Sequence, residues 1–232
     1  MNLRFAGAVA MAALACSPGS KSETPENPPA AMTDSSAWRT LFDGTSTAAW
    51  RGYQTDSFPS GWAVEDGSLV RTTGGVDIIT RDQFSDFELE LEWKVGPAGN
   101  SGIMYRVTEA DSSTYRTGPE YQILDDAAHQ DGKNRLTSAG SAYGLYAPPA
   151  GVVKPAGEWN TTRIVARGAH VEHWLNGQKV VEYELWSPDW EEKVRNSKFV
   201  EWAGYGRSPR GHIALQDHGD RVEFRSIRIR EL

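Results

Sequence analysis

The sequence predicts an all-β fold, two antiparallel sheets packed as a β-sandwich or jelly roll. Three observations carry that expectation: short segments of period-2 alternation, two tight hairpin turns, and no sustained 3.6-residue period anywhere in the chain. FELELEWKV (87–95) alternates strictly, with Phe87, Leu89, Leu91 and Trp93 on one face and Glu88, Glu90 and Glu92 on the other. WAVEDGSLVRT sets Asp66-Gly67 between two apolar-patterned arms, and HVEHWLNGQKVVEYEL does the same with Asn176-Gly177. NSGIMYRV, PEYQILD, EWNTTRIVARG, GHIALQD and VEFRSIRI supply further short strands. One brief helix is expected in SPDWEEKVRN, with Ser187 as its cap and Pro188 at its first position. No internal repeat is visible, which argues against a propeller.

The 232 residues suffice for one substantial domain with short appendages. Nine Trp, eight Tyr and 23 Gly describe a turn-rich globular protein, not a disordered one. A net charge of −7 with no basic cluster excludes nucleic acid as the main partner, because phosphate binding needs a basic face. The single cysteine, Cys16, rules out an intrachain disulfide. It closes MNLRFAGAVAMAALAC, whose apolar run is too short to span a bilayer and reads as a secretory signal. Residues 1–16 are therefore expected to be a signal peptide ending at a lipobox-like cysteine, with Cys16 the lipidation site. Residues 17–36 form a Pro- and Ser-rich tether, and residues 37–232 the folded domain. The expected location is across the inner membrane, facing the periplasm or on the outer membrane, with membrane contact only through the lipid.

Alternation sorts each strand into an inner and an outer face. In NSGIMYRV, Gly102, Met104 and Arg106 point outward, and Asn100 shares their parity. In PEYQIL, Glu120, Gln122 and Leu124 point outward; in HIALQDH, His212, Ala214, Gln216 and His218 do. If these strands are neighbours, one face carries a guanidinium, a carboxylate, amides and an imidazole, with Gly102 and Ala214 leaving room for a ligand. Such a mixture of donors and acceptors suits a sugar. Trp202 and Tyr205, in the loop EWAGYGRSPRG, are candidates to wall the site, because aromatic rings stack on pyranose faces. Asp217 points the other way and is not expected to couple to His218.

Other candidates are weaker. Glu88, Glu90 and Glu92 lack the Glu-x-Asp-x-x-Glu spacing of laminarinase-like enzymes and read as a solvated face. DDAAHQDGKNR (125–135) lacks the spacing of a calcium loop. His170 and His173 lie on opposite faces of one strand and cannot form a zinc pair. Neither a phosphate-binding Gly-rich loop nor a Gly-x-Ser-x-Gly elbow is present.

From LFDGTSTAAW to FRSIRI the chain resembles the bacterial 3-keto-disaccharide hydrolase domain family. LFDG, FELELEWK, GNSGIMYR, GPEYQILDD, GEWN, WLNGQKV, GHIALQDHG and VEFRSIRI occur in the family's order. One departure is Ser226, where Asn is usual. The resemblance implies a concanavalin A-like jelly roll, often secreted or lipid-anchored. It also implies cleavage of glycosides already oxidised at C3 by a partner sugar 3-oxidoreductase, so the direct ligand is a small carbohydrate. In that chemistry Glu120 and His218 serve as C2 base and leaving-group acid in either order, with Arg106 and Gln122 or Gln216 around the keto oxygen. Asn100, Gln122, Gln216, Trp202 and Tyr205 complete the expected substrate contacts. No cofactor is predicted; a divalent metal could replace Arg106 as electrophile, although no motif supports one. The alternative is a carbohydrate-binding module using the same face without catalysis.

Overall fold

The computed structural model describes residues 1–2 and 37–232; the expected lipidation site Cys16, the body of the leader and the tether lie outside the described residues. The strands in chain order are β1 (Arg39–Phe42), β2 (Trp50–Gly52), β3 (Trp62–Glu65), β4 (Ser68–Arg71), β5 (Ile78–Thr80), β6 (Phe87–Val95) and β7 (Asn100–Val107). They continue with β8 (Glu120–Leu124), β9 (Asn160–Arg167), β10 (His170–Leu175), β11 (Gln178–Glu184), β12 (His212–Leu215) and β13 (Val222–Glu231). The helix α1 (Pro188–Arg195) follows β11, with the Ser187 hydroxyl accepting from the Trp190 amide and Pro at the start of the helix.

Two antiparallel sheets result, as the alternation predicts. The larger runs β11-β10-β9-β6-β13-β4-β3, with β1 also paired to β13, and the smaller runs β2-β5-β12-β7-β8. Both two-residue turns take the conformation a hairpin requires: Asp66 and Gly67 have φ of 49° and 74°, Asn176 and Gly177 of 49° and 81°. Between the sheets lie Leu89, Trp93, Phe224 and Ile229 from the larger, and Ile103, Tyr105, Tyr121, Ile123 and Leu215 from the smaller. Truncating any of these large side chains removes apolar contact and leaves a cavity, at a cost of about 2–5 kcal/mol.

The core also holds a polar chain through His173. Tyr105 Oη lies 3.0 Å from His173 Nε2, His173 Nδ1 lies 3.1 Å from the Gly140 carbonyl, and the Tyr183 hydroxyl meets that of Tyr105. Burial holds the His173 imidazole down at about 4, so it stays neutral and one ring nitrogen donates while the other accepts.

Four strand pairs among the described residues carry a register shift, and two of these bulges matter here. On β7, His212 pairs with Val107 and Ala214 with Met104, so three steps on β7 face two on β12. The extra residue is accommodated at Arg106, whose φ is 54°. On β13, Arg225 faces Glu92 and Arg228 faces Glu90; here Ser226 takes φ 54°. Beyond each bulge the inward and outward sets exchange parity. Val107 therefore joins Met104, Ile79, Ala214 and Tyr53 in a small apolar cluster distinct from the main core.

Candidate functional site

The smaller sheet's outward face opens into a cleft of about 340 Å³ lined by Asn100, Tyr115, Glu120, Gln122, Tyr143, Lys198, Phe199, Trp202, Gln216 and His218. Strands β8 and β7 are paired with Gln122 opposite Gly102 and Glu120 opposite Met104. Gly102 makes space for the acid: a Cβ built there would stand 2.9 Å from Glu120 Cδ. The segment after β12 is held on β7 by the Gln216 amide donating to the Gly102 carbonyl at 3.0 Å, and by Ser101 Oγ donating to the Gln216 carbonyl at 2.9 Å. That tie carries Gln216 and His218 to the same cleft.

The floor has an unusual electrostatic character. The side-chain oxygens of Asn100, Gln122 and Gln216 are buried without a hydrogen-bond partner. Only about one buried polar group in ten goes unpaired in folded proteins. Three at one cleft mark acceptors positioned for donors on a ligand, and hydroxyls are the fitting class. The Gln122 amide nitrogen is fixed in the opposite direction, donating to the Thr137 carbonyl at 3.3 Å. Glu120 is 8% exposed, and burial pushes its carboxyl up to about 8. Lys198 opposes that rise, while Asp77 and Asp131 add to it. A carboxyl of that kind exchanges protons near neutral pH, as general acid–base catalysis demands.

His218 stands at the mouth, its side chain 47% exposed. Nε2 lies 3.5 Å from Asn100 Nδ2, and Nδ1 lies 3.9 Å from Asp220 Oδ2. Asp220 is itself anchored by the Asn100 backbone amide at 3.2 Å. Asp217 turns away, as the alternation predicts, and pairs with Arg71 at 2.6 Å. Asp220, not Asp217, is thus the carboxylate beside the imidazole.

Two residues expected at the site lie elsewhere. Arg106 donates to the Ser85 carbonyl at 3.0 and 2.8 Å and to the Gly168 carbonyl at 2.8 Å, with Asp86 3.4 Å away. The β7 bulge turns its side chain toward these turns, where it ties the segment before β6 to the β9–β10 turn. Tyr205 is 2% exposed and stacks on Phe199 at 4.0 Å and on Trp190 at 5.9 Å. It supports the cleft wall from behind and does not line it. Leu124 and His212, also expected outward, are buried. Leu124 joins the main core, and His212 Nδ1 donates to the Thr80 carbonyl at 2.7 Å.

Alternation did not single out Tyr115, Tyr143, Lys198 and Phe199, because none lies on a strand. Lys198 and Phe199 fall within four residues of Trp202, a local signal that could have found them. Tyr115 meets Trp202 at 5.4 Å and Phe199 meets Trp202 edge-on at 5.6 Å, so the cleft has an aromatic wall.

Glu120 and His218 are the cleft's ordinary metal-ligand types; a cation there would draw its other donors from the amide oxygens. Another group of ligating side chains, His170, Glu172 and Glu182, lies on β10 and β11 of the other sheet, where Lys179 Nζ already bridges Glu172 and Glu182. A larger depression of about 760 Å³ crosses the larger sheet's outer face. Its charges are satisfied within the protein: Glu90 pairs with Arg228, Glu92 with Arg225, and Arg163 with Glu88. Unpaired groups, not size, distinguish the smaller cleft.

The fold and cleft together define a jelly-roll protein with a small, polar, aromatic-walled site. Residues 37–230 match the 3-keto-alpha-glucoside-1,2-lyase-like domain, and the chain belongs to that family. It is 36% identical to a 3-keto-disaccharide hydrolase of Bacteroides thetaiotaomicron, over 86% of this chain and 80% of that one. Two crystal structures from Parabacteroides distasonis, each described provisionally as a glycosyl hydrolase, share the fold. One superposes with a TM-score of 0.79 at 34% identity over 84% of this chain and 94% of its own. The other gives 0.67 at 29% identity over 84% and 100%.

Proposed function

We propose that this chain cleaves glycosides whose C3 hydroxyl has been oxidised to a ketone, with Glu120 as C2 base and His218 as acid to the leaving group. The observation that carries the reading is the unpaired, buried Glu120 carboxyl among three unpartnered amide oxygens, with an imidazole at the open rim. The kinship with a 3-keto-disaccharide hydrolase supports the substrate class.

A C3 ketone acidifies the C2 proton. Glu120 takes that proton, and the C2–H electron pair forms the enolate. Collapse of the enolate restores the C3 carbonyl, makes the C1–C2 double bond and breaks the bond from C1 to the aglycone oxygen. The departing alkoxide takes a proton from His218. Water then adds at C1 and Glu120 returns a proton to C2, so the net change is hydrolysis. The roles follow from position: a bulky aglycone must extend toward solvent, where His218 stands, while the buried carboxylate is the stronger, desolvated base. The amide oxygens accept from the sugar's remaining hydroxyls and the aromatic wall offers a ring face for stacking. An oxidoreductase acting at C3 has to supply the substrate.

Incubating the protein with a 3-keto-glucoside and with its unoxidised parent in D₂O tests the reading. Release from the keto sugar alone, with deuterium entering C2, is expected. His218→Ala should slow release by about 10²–10⁴-fold. Hydrolysis of the parent, or retention of C2–H during turnover, would overturn the mechanism. Binding of the keto sugar without cleavage would make the domain a carbohydrate-binding module.

A further inference from the structure

With Arg106 turned away, the cleft needs another group to stabilise the charge that develops on the C3 oxygen. We propose that Lys198 is that electrophile, its ammonium facing the keto oxygen and neutralising the enolate. The assignment rests on the keto-glycoside reaction proposed above.

Among the described residues, Lys198 is the one ammonium or guanidinium that lines the cleft. Its Nζ lies 4.6 Å from the Tyr143 ring centre, 5.6 Å from that of Phe199 and 5.9 Å from that of Trp202. No carboxylate among the described residues lies within salt-bridge distance of it. Three ring faces therefore restrict a side chain that is usually mobile, and leave its charge free for a ligand.

The support behind those rings is rigid. Ser197 caps the short turn Lys198–Glu201 by accepting from the Phe199 amide. Phe199 stacks on Tyr205, Tyr205 on Trp190, Trp190 on Tyr183 and Tyr183 on Tyr146, all within 10° of parallel. The stack runs from the core to the cleft wall, and Lys198 sits at its open end.

Charge bookkeeping fits the position. Before proton transfer the cleft holds the Glu120 carboxylate opposite the Lys198 ammonium, and Lys198 is the nearby charge that favours the ionised acid. When Glu120 accepts the C2 proton it becomes neutral, and the negative charge moves to the C3 oxygen. The ammonium thus faces one anion throughout the step, and no second charge has to be buried.

The test compares wild type with Lys198→Met and Lys198→Arg on two compounds, a 3-keto-glucoside and 3-keto-1,5-anhydroglucitol. The second has no leaving group, so C2–H exchange in D₂O, followed by NMR, isolates proton abstraction. Lys198→Met should slow exchange and turnover by about 10²–10³-fold. It should also move the acid limb of the pH profile to higher pH, because Glu120 loses the charge that favours its ionised form. Lys198→Arg should recover part of both. Lys198 is exposed, so an unchanged Tm should accompany the loss. Exchange in Lys198→Met within threefold of wild type, or a loss with no shift of the acid limb, would overturn the assignment. Wild-type exchange abolished by a chelator would assign the electrophile to a metal and overturn it as well. A wild type that neither exchanges nor cleaves would refute the reaction itself, a result distinct from the others.

Discussion

The outer faces of the two sheets follow the same alternation and treat charge in opposite ways. On the larger sheet, Glu88, Glu90 and Glu92 of β6 meet Arg230, Arg228 and Arg225 of β13, rung by rung. Trp38 and Trp159 lie against those guanidiniums, with Trp159 3.9 Å from Arg225 and Trp38 4.5 Å from Arg228. On the smaller sheet, no cation among the described residues lies within salt-bridge distance of Glu120, and three amide oxygens have no donor among them. A sheet face that satisfies itself is a surface; one whose buried acceptors wait for donors is a site.

The sharpest break in that comparison exchanges one carboxylate on each face. Glu120→Gln should reduce kcat on the keto substrate by about 10³-fold or more, since an amide cannot take the C2 proton. It should also stabilise the protein in alkali. The Glu120 carboxyl is held at about 8 in the fold against an ordinary 4.5, so the folded state binds the extra proton between those values. Stability attributable to this group therefore falls as pH rises from 4.5 through 8, by on the order of a few kcal/mol. Thermal melts should show Glu120→Gln above wild type at pH 9 and level with it at pH 4. Glu90→Gln, whose partner Arg228 is half exposed, should change stability by less than about 1 kcal/mol and leave kcat intact. Equal effects from the two substitutions would erase the distinction between the faces.

How much of this was legible in the sequence depended on whether alternation ran unbroken. β6 alternates over nine residues, and Phe87, Leu89, Leu91 and Trp93 take the inner face as expected. Glu88, expected on a solvated face, is buried beneath its ion pairs with Arg163 and Arg230. Asn100, Glu120 and Gln122 lie on strands ahead of any bulge, Gln216 and His218 follow the end of β12, and the structure brings all five to one cleft. Arg106 lies on one. Nothing in NSGIMYRV announces an extra residue, because arginine has no preference for positive φ, and the bulge is imposed by pairing with β12. Tyr205 and Phe199 lie in irregular segments, where no period says which ring faces the ligand and which lies behind it. Composition placed an aromatic wall there; only packing selects its members.

Arg106 supplies the second test, intermediate in size. Its guanidinium satisfies two backbone carbonyls away from the cleft, so Arg106→Met should cost about 2–4 kcal/mol of stability. Turnover by the folded fraction should stay within about threefold of wild type. Urea melts and kcat measured on the same preparation separate the two effects. A large loss of kcat with an unchanged melt would return Arg106 to the chemistry and displace Lys198.

The mildest test falls on the other bulge. Ser226 occupies the left-handed region with only a 3.4 Å contact to Glu92 to favour it. Asparagine tolerates that conformation better than serine does. Ser226→Asn should therefore raise stability by about 0.5 kcal/mol and leave kcat unchanged, because the residue is exposed on the larger sheet, away from the cleft. The position cannot simply lose its extra residue. On one side of the bulge β13 pairs with β4 at Glu223 and Phe224; on the other it pairs with β1 from Ile227 to Ile229. The bulge lets one strand change neighbours while Arg225, Arg228 and Arg230 all keep facing their glutamates. A destabilising Ser226→Asn would mean that the serine hydroxyl, not the backbone conformation, holds this corner. The charge ladder would then depend on a side-chain contact as well as on register.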